Sequence, residues 1–283
     1  MIIDFHTHIF PRLFRDSREE FFSEEPAFKS LYARPDSRLV GCQELLNHMD
    51  REGVEKAVVF GFPWEKSDNF QRHNDYVIES VGRYPERLIG FCCFSPRSPH
   101  SVREINRCLE SGLSGVGELA IYDTCLSLEE IPGLGEIMQT CQHFDVPILF
   151  HTNEPVGHVY PGKAPMSLSE IYNLLKQYPS NRVILAHWGG GLFFYGLMKK
   201  EVKDVLKNVW FDTAASPFLY GADVYRIAGE IVGFEKILLG SDYPLLSPRR
   251  YLEEMRSIGL PAHSINKISG ENAARVLGLT PQE

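Results

Sequence analysis

The sequence predicts one α/β domain spanning residues 1–283, a single (β/α)8 barrel with a segment inserted after its first strand. Three observations carry that expectation. Short apolar, β-branched or aromatic runs recur eight times along the chain. From the second onward their starts lie 27 to 35 residues apart, the length of a strand–helix–strand repeat. Histidines and acidic residues gather where those runs end, the side on which barrels of this kind carry their chemistry.

In order, strand 1 begins at Ile2 (Ile2-Ile3-Asp4-Phe5), and the next three at Lys56, Leu88 and Gly115. The last four begin at Pro147, Arg182, Val209 and Lys236. Several are nearly continuous apolar runs, as strands buried on both faces should be. Cys42–Glu52, Leu128–His143 and Leu168–Tyr178 carry the apolar spacing of amphipathic helices. The insertion Ile9–Val40, rich in Phe, Arg and Glu, falls on the strand-to-helix side, where it could serve as a lid or as an oligomer contact such as that of a homodimer. A doubly wound open sheet would carry a Gly-rich phosphate turn after strand 1; His6-Thr7-His8 stands there instead.

Composition narrows the function. With 43% hydrophobic and 23% charged residues the chain is ordinary globular material, neither fibrous nor disordered. A net charge of −8 without a basic stripe excludes nucleic acid as the expected partner and leaves a small molecule. No apolar run approaches the roughly 18–20 residues of a membrane span. A strand directly after Met1 leaves no room for a secretory signal, so a cytoplasmic location is expected. The six cysteines (42, 92, 93, 108, 125 and 141) form no C-x-x-C pair and read as reduced core residues.

The strand ends hold His6 and His8 (strand 1), Glu118 (strand 4), His151 (strand 5), His187 (strand 6) and Asp242 (strand 8). Random placement would put about one of the ten histidines on strand ends, which make up roughly a tenth of such a barrel; four are there. Two apart on an extended strand, His6 and His8 project from one face, with Phe5 and Thr7 expected on the other. Two imidazoles in one confined space repel when protonated and lack partners when dry, and a shared divalent cation resolves both problems. His151 and Asp242 can reach the same mouth and complete a shell of three nitrogens and one oxygen. That donor set suits zinc, iron, manganese or cobalt better than magnesium or calcium.

The ordered set Ile3-Asp4-Phe5-His6-Thr7-His8, Gly117-Glu118, His151-Thr152-Asn153-Glu154-Pro155, Ala186-His187-Trp188-Gly189-Gly190-Gly191 and Gly240-Ser241-Asp242-Tyr243-Pro244 resembles the amidohydrolase superfamily. The terminal Gly270–Arg275 segment continues the likeness, which covers nearly the whole chain. The branch it is most similar to, the amidohydrolase-related group, holds small metal-dependent hydrolases and nonoxidative decarboxylases such as aminocarboxymuconate semialdehyde decarboxylase. The resemblance implies a distorted TIM barrel with His6, His8, His151 and Asp242 at the positions of metal ligands. It implies that His187 binds a second metal or polarises substrate. Many relatives bridge two metals with a carboxylated lysine on strand 4; here Glu118 stands at that strand's end, to bridge two ions, hold one, or orient a ligand. Zinc is the expected ion, one or two per chain, with manganese, iron or cobalt as alternatives.

The leading expectation is hydrolysis of an amide, ester or lactone-type bond. A metal-bound water would attack, Asp242 would carry the proton, and His187 would stabilise the oxyanion. The alternative is nonoxidative decarboxylation of an unsaturated or aromatic carboxylate on the same shell. Asn153, His158, Tyr160 and Trp188 are the candidate substrate contacts, with Lys163, Trp64 and Phe193-Phe194 nearby in sequence. Asp4 is a candidate to hydrogen-bond a ligand ring, and Asp212 a candidate supporting or interface residue.

Overall fold

A computed structural model of the chain describes residues 1–122 and 131–279. Among them are β1 (Ile3–His8), β2 (Lys56–Phe60), β3 (Leu88–Cys92), β4 (Gly115–Leu119), β5 (Ile148–Phe150), β6 (Val183–Leu185), β7 (Val209–Asp212) and β8 (Ile237–Leu238). Each begins within one residue of its expected start. They pair in parallel in chain order. The chain beyond the short β8 closes the ring. Phe5 N donates to Leu239 O (2.7 Å), Asp242 N to His6 O (3.0 Å) and His8 N to Tyr243 O (2.8 Å). The fold is a (β/α)8 barrel, as the repeat length predicts.

The insertion contributes α1 (Arg12–Asp16) and α2 (Pro26–Tyr32). The outer layer follows with α3 (Cys42–Glu52), α4 (Ser67–Arg83), α5 (Ser101–Glu110), α6 (Leu134–His143) and α7 (Leu168–Gln177). The expected helix Leu128–His143 thus appears from Leu134; its residues 128–130 and Cys125 lie outside the described residues. α7 starts where the sequence provides a capping box, Ser167 and Glu170 each accepting from the other's backbone N–H. Cys42, Cys92, Cys93, Cys108 and Cys141 are buried free thiols. No helix among the described residues is long and apolar enough to cross a membrane.

One expectation about β1 needs correction. Strict alternation would send Phe5 to the helical side, away from His6. Instead Ile3 and Phe5 pack with Val58, Phe60, Ile89, Phe91 and Leu149 in the barrel's inner cluster. The cause is a bulge: Asp4 pairs with Ala57 but Thr7 with Val59, so β1 holds one extra residue against β2. Such an insertion resets which face a side chain takes. Phe5 fills the interior, and the histidines beyond it occupy the mouth.

The insertion folds back onto its own barrel. The Glu25 carboxylate, at the head of α2, accepts from the backbone N–H of Glu65 (2.9 Å) and Lys66 (3.0 Å) and from Asn69 Nδ2 (2.8 Å) at the start of α4. An anion satisfying the unpaired N–H groups of a helix start is a stabilising arrangement. Trp64 stacks between Phe14 (4.3 Å) and Phe28 (4.4 Å), tying both insertion helices to the β2 loop. Its Nε1–H donates to His73 Nδ1 (2.8 Å), and His73 Nε2–H donates to Ile9 O (2.6 Å). Trp64 is therefore a fully buried packing residue rather than a wall of the mouth.

Candidate metal centre

Local backbone geometry aims the candidate donors. A second bulge lies in β4, where Val116 pairs with Ile148 and Leu119 with Phe150. Gly117 takes φ +129° within it, and a Cβ there would collide with the Leu149 carbonyl oxygen. Only glycine fits that position, and the residue it releases into the mouth is Glu118. His187 (φ 55°) and Asp242 (φ 60°) are both left-handed, a conformation non-glycine residues hold only when their surroundings enforce it. After His187 the left-handed run continues through Trp188, Gly189, Gly190 and Gly191. A Cβ on Gly190 would meet the Asn153 carbonyl, which explains the glycine there.

Each histidine has one ring nitrogen tied down and the other turned inward. His6 Nδ1 bonds Asp212 Oδ2 (2.8 Å), His8 Nδ1 bonds Gly61 O (3.0 Å) and His187 Nδ1 bonds Ala214 O (3.0 Å). His151 is held the other way round, by Nε2 on Gly162 O (2.8 Å). A ring N–H given to a carbonyl or carboxylate leaves the opposite nitrogen with its lone pair free for a metal. The inward atoms are therefore Nε2 of His6, His8 and His187, and Nδ1 of His151.

Two carboxylates meet them. Asp242 Oδ1 lies 3.6 Å from His6 Nε2 and 3.5 Å from His8 Nε2. Glu118 Oε2 lies 3.6 and 3.8 Å from the same two nitrogens. Glu118 Oε1 faces His151 Nδ1 at 2.9 Å and His187 Nε2 at 3.6 Å. Donors bound at about 2.1 Å around one ion stand roughly 3–3.5 Å apart, so the spacings suit a shared cation. His6 Nε2 decides the fit: it is fully buried and has no hydrogen-bond partner. An orphaned imidazole nitrogen facing two carboxylates fits a divalent cation and little else. Triads from this cluster have donor atoms mutually within 4.8 Å, His6–His8–Glu118, His6–His187–Asp242 and Glu118–His151–His187.

Protons hold the cluster together where no cation does. Burial opposes a charged His6 ring, but Glu118 and Asp212 outweigh it and lift its pKa well above the ordinary imidazole value. For His187 burial is again outweighed, by the hydrogen bond to Glu118 and the charge of Asp242, and the pKa rises. Conversely, burial would neutralise Glu118, yet His6 and His151 hold it well below the usual carboxylate range. Asp242 is lowered for the same reason, by His8, His6 and His187 against burial. These are the shifts expected where imidazoles and carboxylates of opposite charge share a buried site.

The remaining candidates fall into place around the cluster. Asp4 does not reach a ligand ring: it accepts from Ser241 N (2.9 Å) and Ser241 Oγ (2.5 Å), and burial lifts its pKa to about 6. Asp212 holds His6 and also accepts from the backbone N–H groups of His187 (2.9 Å) and Ala214 (3.0 Å). Trp188 turns into the core, its Nε1–H on Ser216 Oγ (2.9 Å) and its ring against Tyr225. Asn153 staples the loop after β5, bonding both N–H and C=O of Ala164. His158 is exposed, and Tyr160 gives its hydroxyl to Glu154 (2.9 Å). Phe193 is buried and Phe194 exposed. Lys163 pairs with Glu154 (2.9 Å).

The aromatic wall comes from residues that periodicity does not single out. Phe60 packs against His6 (5.1 Å) and His8 (4.7 Å). Tyr122 lies against His151 (5.3 Å) and parallel to Phe62 (6.2 Å, 7°). Tyr32, from α2, packs on Phe62 (6.0 Å). Burial, then the charges of Asp242 and Glu118, raise the Tyr32 pKa, and burial and Glu118 raise that of Tyr122. Both phenols stay protonated donors beside the carboxylates.

The amidohydrolase family model matches residues 3–279. The chain belongs to the amidohydrolase family. Over 319 aligned residues it is 25% identical to a gamma-resorcylate decarboxylase of Polaromonas sp. (strain JS666), with 92% of this chain and 97% of that protein covered. Its fold superposes on 5-carboxyvanillate decarboxylase from Sphingomonas paucimobilis with a TM-score of 0.78 at 17% identity, covering 99% of both chains. A dihydroxybenzoic acid decarboxylase from Polaromonas sp. JS666, solved with manganese and 2-nitroresorcinol, gives 0.72 at 17% identity, covering 98% and 97%. The expectation of hydrolysis is thereby overturned: these relatives are decarboxylases, and the balance passes to the alternative reading. Zinc is not favoured either, since the metal bound in the dihydroxybenzoic acid enzyme is manganese, one of the alternatives.

Proposed function

We propose that this family member is a manganese-dependent nonoxidative decarboxylase of an aromatic hydroxycarboxylate. The observation that carries the reading is the likeness to gamma-resorcylate decarboxylase over nearly the whole length of both chains. The mouth agrees with it. Phe62 packs with Tyr32 and Tyr122, and Phe60 with His6 and His8, so an aromatic cluster that would pack on a planar ring stands beside the polar donors. His6, His8, Asp242 and Glu118 would hold the ion. Bound there, it supplies a positive charge that fixes the substrate's oxygens and favours the electron-rich ring state.

The chain's own groups account for the rest. The reaction replaces a ring carboxylate by hydrogen, so one proton must reach the ring carbon before carbon dioxide leaves. Asp242 is placed to deliver it: Oδ1 faces His6 and His8, and Oδ2 remains for the proton. His8, His6 and His187 hold the free carboxyl ionised, so Asp242 would take up a proton from the incoming substrate or from water and pass it on to the ring carbon. As the new C–H bond forms, the bond to the carboxylate breaks, its electron pair returns to the ring and Asp242 is left ionised. Tyr32 and Tyr122, kept protonated by burial and the neighbouring carboxylates, would donate hydrogen bonds to ring oxygens. Purified protein loaded with manganese should release carbon dioxide from dihydroxybenzoates in equal amount to the decarboxylated phenol. Failure on a panel of hydroxybenzoates and vanillates, by a protein shown to carry manganese, would reject the reading.

A further inference from the structure

A second set of donors lies away from the barrel mouth, in the wall formed by β3, α4 and α5. Cys92 ends β3, and Glu104 and Cys108 stand one turn apart on the buried face of α5. Cys92 and Cys108 are fully buried and Glu104 nearly so. The two sulfurs and one Glu104 oxygen lie within 4.8 Å of one another, with Cys108 Sγ 3.4 Å from Glu104 Oε1. We propose that this triad is a structural site for one thiophilic divalent cation of the zinc type, which would brace β3 against α5. The site is independent of the ion and of the reaction assigned to the mouth.

The surroundings of the triad are those of a bound thiolate pair. Each sulfur faces an N–H donor, Cys92 Sγ that of Asn74 Nδ2 (3.7 Å) and Cys108 Sγ that of Arg107 Nη2 (4.0 Å). A thiol packed as a small hydrophobe needs no such donors, whereas ligating groups are held by them. Glu104 is held as firmly. Arg107 Nε donates to its Oε2 (2.9 Å), and Asn74 Nδ2 and Arg107 Nη2 donate to its Oε1 (both 2.8 Å). Burial opposes the Glu104 charge, but Arg107 and Asn74 outweigh it and keep the pKa below the ordinary carboxylate value. Charge agrees. Two thiolates and Glu104 bring three negative charges, and Arg107 with a divalent ion returns three; Asp75, which Arg107 also reaches, is exposed to solvent. Burial, then Cys108 and Glu104, push the Cys92 thiol well above its ordinary range, so binding must displace protons, as a coordinated cation does. Two are released per ion as two metal–sulfur bonds form. Donors bound at about 2.3 Å around one ion stand roughly 3.5–4 Å apart, so the triad closes on it by small side-chain rotations. Sulfur also sets the choice of ion: thiolates select zinc over manganese, while the nitrogen and oxygen donors of the mouth accept manganese.

Cobalt reads the site directly. Full-length protein purified from cobalt-supplemented cells receives the ion as the chain folds. Co²⁺ held by thiolates absorbs strongly in the near ultraviolet by sulfur-to-metal charge transfer, which nitrogen and oxygen donors do not produce. The band is expected in the native protein and in Glu118→Gln, and is expected to vanish in Cys92→Ala and in Cys108→Ala, each with one ion fewer per chain by elemental analysis. A cobalt-loaded native protein without the band, or a band that survives Cys108→Ala, overturns the inference. Should the cysteine variants fail to fold, X-ray absorption at the zinc edge of zinc-loaded native protein decides alone. Sulfur neighbours at about 2.3 Å are expected, and a shell of nitrogen and oxygen only overturns the site. Carbon dioxide release by manganese-loaded protein is measured separately: an active protein without the band refutes the thiolate site and keeps the proposed reaction, and an inactive protein with the band does the reverse.

Discussion

Asp212→Asn is the most informative single change, because it alters a proton rather than a shape. In the native site Asp212 Oδ2 accepts the His6 Nδ1–H at 2.8 Å, which leaves Nε2 bare and buried without a partner. Asp212 Oδ1 accepts from His187 N (2.9 Å) and Ala214 N (3.0 Å), so the variant's amide must keep its oxygen on that side and turn its NH2 toward His6. His6 Nδ1 then becomes an acceptor and its proton moves to Nε2, blocking the lone pair that the cation needs. Losing such a supporting carboxylate typically weakens metal binding by about 10- to 100-fold, or roughly 1.4–2.8 kcal/mol. Competition titration of Mn²⁺ against a fluorescent chelator measures this, with Asp4→Asn as control. Asp4 is equally buried, but it binds Ser241 rather than a ring, and its variant should stay within about threefold of wild type. Equal affinities for wild type and Asp212→Asn, or a larger loss in Asp4→Asn, would refute the reasoning.

Three further outcomes are expected. In demetallated protein the raised pKa values of His6 and His187 contribute stability that is complete below about pH 6.5 and is lost as pH rises through the folded values. The depressed Glu118 and Asp242 contribute above about pH 4 and lose that contribution as pH falls. Its melting temperature should therefore decline from pH 6.5 to alkaline pH, while the increment added by manganese grows as binding releases those protons; a melting temperature rising with pH in the stripped protein contradicts the assignment. Lys163→Met removes the ammonium that clasps Glu154 and the carbonyls of Val156 and His158, loosening the loop whose Gly162 carbonyl fixes His151. A pair of this exposure contributes roughly 1 kcal/mol, so manganese affinity should fall about fivefold and be largely restored in Lys163→Arg; isothermal titration distinguishes this from no change. Gly190→Ala forces a side chain into a left-handed residue and against the Asn153 carbonyl, at a cost of about 1–3 kcal/mol in urea unfolding, and unchanged stability would show that the turn relaxes freely.

The barrel was legible because β2 to β8 are short runs buried on both faces, whose apolar continuity marks each start almost to the residue. The bulges in β1 and β4 were not, because a bulge is a relation between two strands; the Phe5 placement failed for that reason. Strand-end chemistry made His6, His8, Glu118, His151, His187 and Asp242 visible, since ionisable groups on apolar runs stand out against their neighbours. Trp188 misled because five successive left-handed residues reverse the chain and carry its ring into the core. Tyr32 and Tyr122 were missed: one lies in an aperiodic insertion and the other in a loop, and only packing over the mouth gives them a role. A signal for Asp212 did exist, an acid closing the apolar run Val209-Trp210-Phe211, but choosing between it and Asp4 as the partner of His6 required coordinates.

Diffraction from manganese-soaked crystals, recorded at the metal's absorption edge, puts the convergence of these distant residues to proof. Anomalous density is expected within about 2.3 Å of His6 Nε2, flanked by His8, Asp242 and Glu118. A strong peak elsewhere, with nothing between those side chains, would contradict it.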